Sequence, residues 1–396
     1  MAHHSGTVRH HAHHFHDALT VTIHFIRKNT VLVIAAALAL VTSLIVPPDA
    51  DYIGYFDFKT LTCLFCTLAV ICALKNVRFF TKLAERIVVV SGNTRTAVLL
   101  LVYITFIGSM LLANDMALLT FLPLGYYVMS SAGKERYMAF TFIMQNIAAN
   151  LGGMLTPFGN PQNLYLYEKF RIANGEFIKI MLFSFLLSVL LITLLCIVFV
   201  KGEKMQLKTR DFAPMPKVKV IIYLLLFAFS ILLVFRTVPY YVGLILVPLA
   251  LLFLDKSALL KVDYPLLFTF VFFFIFAGNM ARIDIVENAV GALLSKNTLL
   301  VSALSCQFIS NVPSAILLSE FTTDYRALLM GVNIGGAGTL IASLASLITL
   351  REFSSRYPEK TKKYIILFSV INFAFLLILS VFCSFVLASG NFGLGF

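Results

Sequence analysis

The run Gly152-Gly153-Met154-Leu155-Thr156-Pro157-Phe158-Gly159-Asn160-Pro161-Gln162-Asn163 falls where an apolar helix should cross the middle of a bilayer. Pro157 and Pro161 remove backbone donors, and the glycines permit angles that no helix uses. Carbonyls and amides are therefore left without helical partners. In lipid that is tolerated only where the backbone is buried in protein or faces a wet cavity. The run predicts a broken transmembrane helix around a polar site. Freed carbonyls together with Asn and Thr oxygens suit a hard cation such as sodium. N–H groups at half-helix starts suit an anion.

The whole composition agrees. Of 396 residues, 60% are apolar and 13% charged, and the mean hydropathy is +0.91. A soluble domain is about half apolar and one quarter charged. An ordinary soluble enzyme, a disordered chain and a secreted disulfide scaffold are thereby excluded. At ~20 apolar residues per span the length allows roughly nine to eleven membrane segments. The fold expected is an all-α polytopic membrane protein.

Apolar stretches run over 31–46, 55–74, 96–113, 116–130, 137–151, 178–200, 220–235, 238–254, 264–280, 298–309, 314–321, 327–350 and 364–387. Two are too short to cross: at ~1.5 Å per residue, 298–309 reaches about 18 Å and 314–321 about 12 Å, against a core of about 30 Å. They predict the arms of a re-entrant hairpin with its tip at Ser310-Asn311-Val312-Pro313. The segment 96–130, around Ala113-Asn114-Asp115, fits a second hairpin or two full spans. Amphipathic stretches precede both, at 77–90 and 284–296, and read as interfacial helices.

The two halves correspond. Asn146-Ile147-Ala148-Ala149 answers Asn333-Ile334-Gly335-Gly336 at an offset of 187, and Ala113-Asn114-Asp115 answers Ser310-Asn311-Val312 at 197. Gly335, Gly336, Gly338, Thr339 and Ser343 predict a second, gentler helix break. The domains expected are a His-rich cytoplasmic tail at 1–30, a first inverted repeat at 31–200, a basic cytoplasmic linker at 201–219, and a second inverted repeat with one extra span at 220–396. Paired broken helices in inverted repeats are how many carriers build a midplane site.

The formal charge of +12 reads as membrane topology rather than as nucleic-acid binding. With the N-terminus inside, the cytoplasmic side gathers 23 Lys or Arg against 9 Asp or Glu, and the opposite side 8 against 9. Asp115 is left deep in the membrane, where a carboxylate must be paired or protonated, and it is a functional candidate on that ground. Seven of the eight histidines fall within residues 3–16. They read as a cytoplasmic tail, with metal capture the alternative. The Cys63–Cys66 pair has no second pair for zinc and reads as free thiols.

At these motifs the chain resembles the ion transporter superfamily: the citrate-transporter-like proteins, the divalent anion–sodium symporters, and the arsenite and sodium–proton permeases. Within it, the chain is most similar to a bacterial inner-membrane branch of anion transporters. The residues carrying the resemblance are Ala113-Asn114-Asp115, Thr156 to Asn163 and Ser310-Asn311-Val312-Pro313. The symporters' tips read Ser-Asn-Thr; these do not. The resemblance implies a homodimer in the cell inner membrane, with a scaffold and a mobile transport domain moving as an elevator. It implicates Asn114, Thr156, Asn160 and Asn163 in one half, and Ser310, Asn311, Gly335 and Thr339 in the other.

The expectation is an ion-coupled secondary transporter of a small anion, a carboxylate or inorganic oxyanion. Sodium or a proton would be the coupling ion, and no other cofactor is expected. Asp115, Gly159, Gly336 and Ser343 complete the candidate site, with Asn114, Asp115, Asn160, Ser310 and Asn311 as candidate sodium ligands. The alternative is a sodium–proton antiporter or an arsenite-like metalloid efflux permease. An intramembrane enzyme lacks its chemistry: no His follows His24 and Asp115 has no carboxylate partner. A channel would not need inverted broken helices.

Overall fold

The computed structural model describes residues 29–89, 91–205 and 215–390. The histidine cluster at 3–16 and the linker residues 206–214 lie outside the described residues.

The first half runs α1 (Thr30–Ile45), the short α2 (Tyr52–Tyr55), α3 (Phe58–Asn76), α4 (Phe79–Val89), α5 (Thr94–Leu111), α6 (Asn114–Ser131), α7 (Met138–Gly152), α8 (Pro161–Lys169) and α9 (Asn174–Phe199). An extra helix follows, α10 (Lys217–Val234). The second half runs α11 (Tyr240–Leu254), the short α12 (Lys256–Leu260), α13 (Tyr264–Ala281), α14 (Asp284–Ile309), α15 (Asn311–Leu318), α16 (Tyr325–Ile334), α17 (Leu344–Arg356) and α18 (Thr361–Ser389). Among the described residues, seven helical segments are long and apolar enough to cross a membrane. Large apolar side chains on their outer faces, such as Leu186, Leu190 and Val198 on α9, are exposed. That is the pattern of a lipid-facing surface.

Local chemistry sets the boundaries. Asp57, Asn93, Asp263 and Asp324 accept from the third residue onward and cap α3, α5, α13 and α16. Pro161 opens α8, where its missing N–H has no cost. Asn297 leaves helical geometry inside α14 (φ −164°, ψ 90°). Its side chain caps the segment beyond by accepting from Leu300 N at 3.0 Å. The stretch 284–296 is thus set apart from the hairpin arm, as its amphipathic pattern predicts.

Helices α5 and α6 are joined by Leu112 and Ala113 alone, and α14 and α15 by Ser310 alone. Both pairs are hairpins. The ambiguity over 96–130 is settled because tip residue Asn114 bonds to Ser343 in the opposite half. A pair of full spans would carry Asn114 to the far surface.

The packing repeats across the halves. α1 lies on α13 as α11 lies on α3. α5 lies on α7 as the outer part of α14 lies on α16. The hairpin arms are exchanged: α6 packs on α17, and α15 on α8. The first tip thereby reaches the second half's break through Asn114 and Ser343, while the second tip bonds Ala342 in the break of its own half. This relation refines the register of the repeat. Thr156 Oγ1 donates to Met110 O at 2.9 Å, and Thr339 Oγ1 donates to Gln307 O at 3.0 Å. These equivalent bonds place the broken helices 183 positions apart, so Asn333 matches Asn150, one turn beyond Asn146.

Two pairs depart from the symmetry. α13 packs on α15, and α3 on α8, whereas the related pairs α3–α6 and α13–α17 at most touch. A crevice of about 270 Å³ lies between α4 and α6, beside the end of α3, lined by Lys75, Arg78, Thr81, Glu85, Leu119 and Tyr127 among others. The seam between these helices is packed where α8 and α15 finish, beneath a hollow of about 570 Å³ lined by Lys59, Tyr165, Glu168 and Arg236 among others, and is unpacked at the other end.

Candidate functional site

Four helix ends and four helix starts converge. The ends are those of α5, α7, α14 and α16; the starts are those of α6, α8, α15 and α17. Ends supply carbonyl oxygens and starts supply N–H groups, so both signs of partial charge meet in one place.

Hairpin tips and breaks are tied by side-chain amides. Asn114 is buried; its Nδ2 donates to Asn150 Oδ1 at 3.1 Å and Ser343 Oγ at 3.4 Å. Asn311 N donates to Ala342 O at 3.0 Å, and Ser310 Oγ to the same carbonyl at 3.3 Å. Ser310 itself sits at φ +73°. A Cβ on Gly336 would lie 3.4 Å from Asn311 Nδ2 and 3.5 Å from Asn150 Oδ1. Asn114, Ser310, Asn311, Gly336 and Ser343 are therefore one cluster. Asn311 Nδ2 has no hydrogen-bond partner among the described residues and is left as a donor.

The first break is a short 3-10 turn, Gly153–Leu155, followed by irregular chain to Asn160. Asn163 Nδ2 donates to Gly153 O at 3.1 Å and Thr156 O at 3.4 Å. Asn160 Nδ2 donates to Asn150 O at 3.5 Å. Gly159 is obligatory, since a Cβ there would stand 2.4 Å from Gly153 O. The second break is as complete as the first rather than gentler: nine residues, Gly335–Ser343, separate α16 from α17. Gly338 adopts φ +127°. Gly335 and Thr339 face Gln307, which donates to Gly335 O at 2.9 Å and accepts from Thr339 N at 2.8 Å. The two breaks are joined by Asn333 Nδ2 to Asn163 Oδ1 at 2.6 Å and by Asn146 Nδ2 to Ser346 Oγ at 3.3 Å.

Asp115 stands in the first turn of α6, half-buried, with Oδ1 buried and unpartnered. Asn160 Oδ1, Gln162 Oε1 and Asn333 Oδ1 are likewise buried acceptors without a donor among the described residues. Orphaned acceptors at a polar centre fit a cation's coordination. Every predicted site residue lies on a tip, in a break, or in the first turn of the helix that follows one. Sequence reasoning missed Asn150, Gln307, Asn333 and Ser346. For Asn150, Gln307 and Asn333 the available signal was an amide side chain inside an otherwise apolar helix, within a turn before a break or tip; Ser346, after the second break, carried none.

In the wall of the hollow above the packed end of the seam, Glu168 on α8 bonds Lys59 on α3 (2.7 Å) and Arg236 in the α10–α11 turn (3.2 Å). Arg236 also donates to Ile172 O at 3.1 Å and to Tyr167 O, capping α8. Tyr165 packs its ring on Phe274 of α13 across the same seam.

Inverted halves, re-entrant hairpins and paired helix breaks around one polar centre define a multi-pass membrane transporter of the discontinuous-helix class. A family model for citrate transporters matches residues 18–324, and the chain belongs to that family, one of transporters rather than enzymes. It is 32% identical over 323 residues to an uncharacterized transporter, MJ0456, of Methanocaldococcus jannaschii, covering 79% of this chain and 86% of the relative. It is 30% identical over 285 residues to the inner membrane protein YbiR of Escherichia coli, covering 70% and 75%. The fold matches the YdaH transporter of Alcanivorax borkumensis, described as having an unusual topology. The TM-score is 0.58 at 13% identity, over 87% of this chain and 89% of that one, a likeness of fold.

Proposed function

We propose that the chain is an ion-coupled secondary transporter of a small anion, a carboxylate or inorganic oxyanion, driven by sodium or protons. One observation supports the reading most: helix starts and helix ends converge beside buried acceptors that have no donor among the described residues. The free Asn311 Nδ2 and the helix starts favour an anion. Asp115 Oδ1, Asn160 Oδ1 and the helix ends favour a cation. Bound together, each offsets the other's charge, so the empty and fully loaded forms exchange sides more readily than partial ones.

The unequal seam supports alternating access. Hairpins and breaks form the moving body, while α1, α3, α10, α11 and α13 form the scaffold. An elevator-type exchange would close the α3–α6 seam and open α3–α8. The reading includes the division into repeats at 31–200 and 220–396 about the basic linker, an inner-membrane location and a homodimer.

A second reading, cation–proton antiport or metalloid efflux, is favoured by Asp115 Oδ1, a buried acceptor able to take a proton or an ion. Purified protein in liposomes separates the two. Uptake of a panel of di- and tricarboxylates, sulfate and phosphate is measured with and without sodium and pH gradients. The first reading expects one anion class to move only with a cation gradient. Ion exchange without any added anion supports the second. Asn114→Ala, Asp115→Asn and Asn311→Ala should each lower uptake at least tenfold with expression near normal; unchanged uptake in all three removes the site assignment.

A further inference from the structure

The two helix breaks are not equivalent in what fills them. Gln307 lies on the first arm of the second hairpin, three positions before its tip, and is 7% exposed. Its Nε2 stands 2.9 Å from Ala303 O, 2.9 Å from Gly335 O and 3.2 Å from Ala337 O. Its Oε1 accepts from Thr339 N at 2.8 Å. The amide orientation is fixed by this network. Turned over, Oε1 would face three carbonyl oxygens and the NH₂ would face an N–H. Three converging main-chain carbonyls are a hard cation's ligand set; here a neutral amide nitrogen occupies their centre. The loop is built around it: a Cβ on Gly338 would fall 2.1 Å from Gln307 Oε1, and Gly338 is held at φ +127°.

In the first half the position equivalent to Gln307 is Met110. Only its carbonyl takes part, accepting from Thr156 as Gln307 O accepts from Thr339. A thioether cannot donate to freed carbonyls. Asn163 Nδ2 covers Gly153 O and Thr156 O, yet Asp115 Oδ1 and Asn160 Oδ1 remain without donors among the described residues. At the polar centre, the second half's unpartnered acceptor, Asn333 Oδ1, belongs to an amide whose nitrogen is bonded to Asn163 of the first.

We infer that the Gln307 side-chain amide is a built-in substitute for a cation in the second helix break, so that the carrier binds a single coupling cation, on the first-half side. Gln307 is a positioning residue: it holds the second break in shape without cation occupancy. The inference deepens the proposed function and rests on its cation coupling.

The test is the sodium dependence of thermal unfolding of the purified full chain, with choline holding ionic strength constant. Each cation bound only by the folded state adds a stabilisation of RT ln(1 + [L]/Kd). At saturation the slope of Tm against log sodium therefore counts sites. Gln307→Ala should uncover the carbonyl cage and make that slope about twofold steeper than wild type. Gln307→Glu puts a carboxylate among three carbonyls, so its folding should demand sodium or acid where wild type does not. Sodium-driven uptake by wild type should show a Hill coefficient of about 1. A wild-type Hill coefficient or melting slope of two sites overturns the inference, and needs no variant. So does a sodium and pH response of both variants equal to that of wild type. Should wild type respond to pH alone, Gln307→Ala should still acquire a sodium-dependent Tm that wild type lacks, and its failure to do so overturns the inference. Failure of the transport reading is distinguishable, because no anion would then be taken up while the melting series still reports on Gln307.

Discussion

Glu168→Gln should release the packed end of the seam. The Glu168 side chain is 3% exposed and bonded to Lys59 and Arg236, whose side chains are 28% and 26% exposed. Substitution keeps the shape and removes the charge. Hydrogen bonds to charged groups contribute about 1.5–3 kcal/mol each. Partial exposure of both cations argues for the lower end, so the pair contributes about 3 kcal/mol. If the opposite state lacks both bonds, its population should rise roughly 100-fold, since ~1.4 kcal/mol is a factor of ten. Thiol accessibility reports this directly, because all six native cysteines are buried and should give a low background. A single cysteine replacing Leu119 samples the open crevice; one replacing Phe274 samples the packed seam. With a membrane-impermeant maleimide applied from either side, Glu168→Gln should slow labelling at 119 and speed it at 274, the two factors multiplying to roughly 100. Rates within twofold of the parent at both positions would refute the lock. The result would also test the sidedness drawn from the charge count.

Gly152→Ala should destabilise by about 1–3 kcal/mol, as overpacking does, because its Cβ would stand 2.3 Å from Phe106 O; Gly175→Ala, with open space around it, should not, and thermal melts in one detergent compare them. Asn163→Leu and Asn333→Leu should each cost about 1–3 kcal/mol by leaving a buried amide or carbonyl unpaired. The double variant should cost less than the sum, and additive melting shifts would show that the 2.6 Å bond joining the breaks carries no coupling. Ser310→Gly should raise stability by about 1 kcal/mol, since a side chain at φ +73° is strained, whereas Ser310→Val should lower it; the reverse order in melting temperature would argue against strain at the tip.

The membrane class, the hairpin at 298–321 and the first helix break were legible because each rests on a local conflict. Pro157, Gly159 and Pro161 cannot continue a helix in an apolar run, and an arm of about 18 Å cannot span a core of about 30 Å. The amphipathic stretch at 284–296 was equally readable, and Asn297 is where its helix turns away. The register of the repeat was not. Asn146 and Asn150 are one turn apart on one helix face, so pattern matching fits either to Asn333. Only the bonds of Thr156 and Thr339 to the hairpin arms choose between them. The depth of the second break was hidden for a related reason. No proline marks it, and the chain leaves the helix because Gln307, distant in sequence, offers its carbonyls and Thr339 N an alternative partner.

The sequence by itself determined that this chain lives in a bilayer, in two related halves, with polar main chain freed in both. Those are consequences of local composition and of the length of apolar runs. Tertiary structure decided which freed groups are already satisfied and which remain for a solute. It also decided which end of the seam is packed. The pattern of the two halves is symmetric and cannot distinguish the ends; only the packing of α3 on α8 and α13 on α15 breaks the tie.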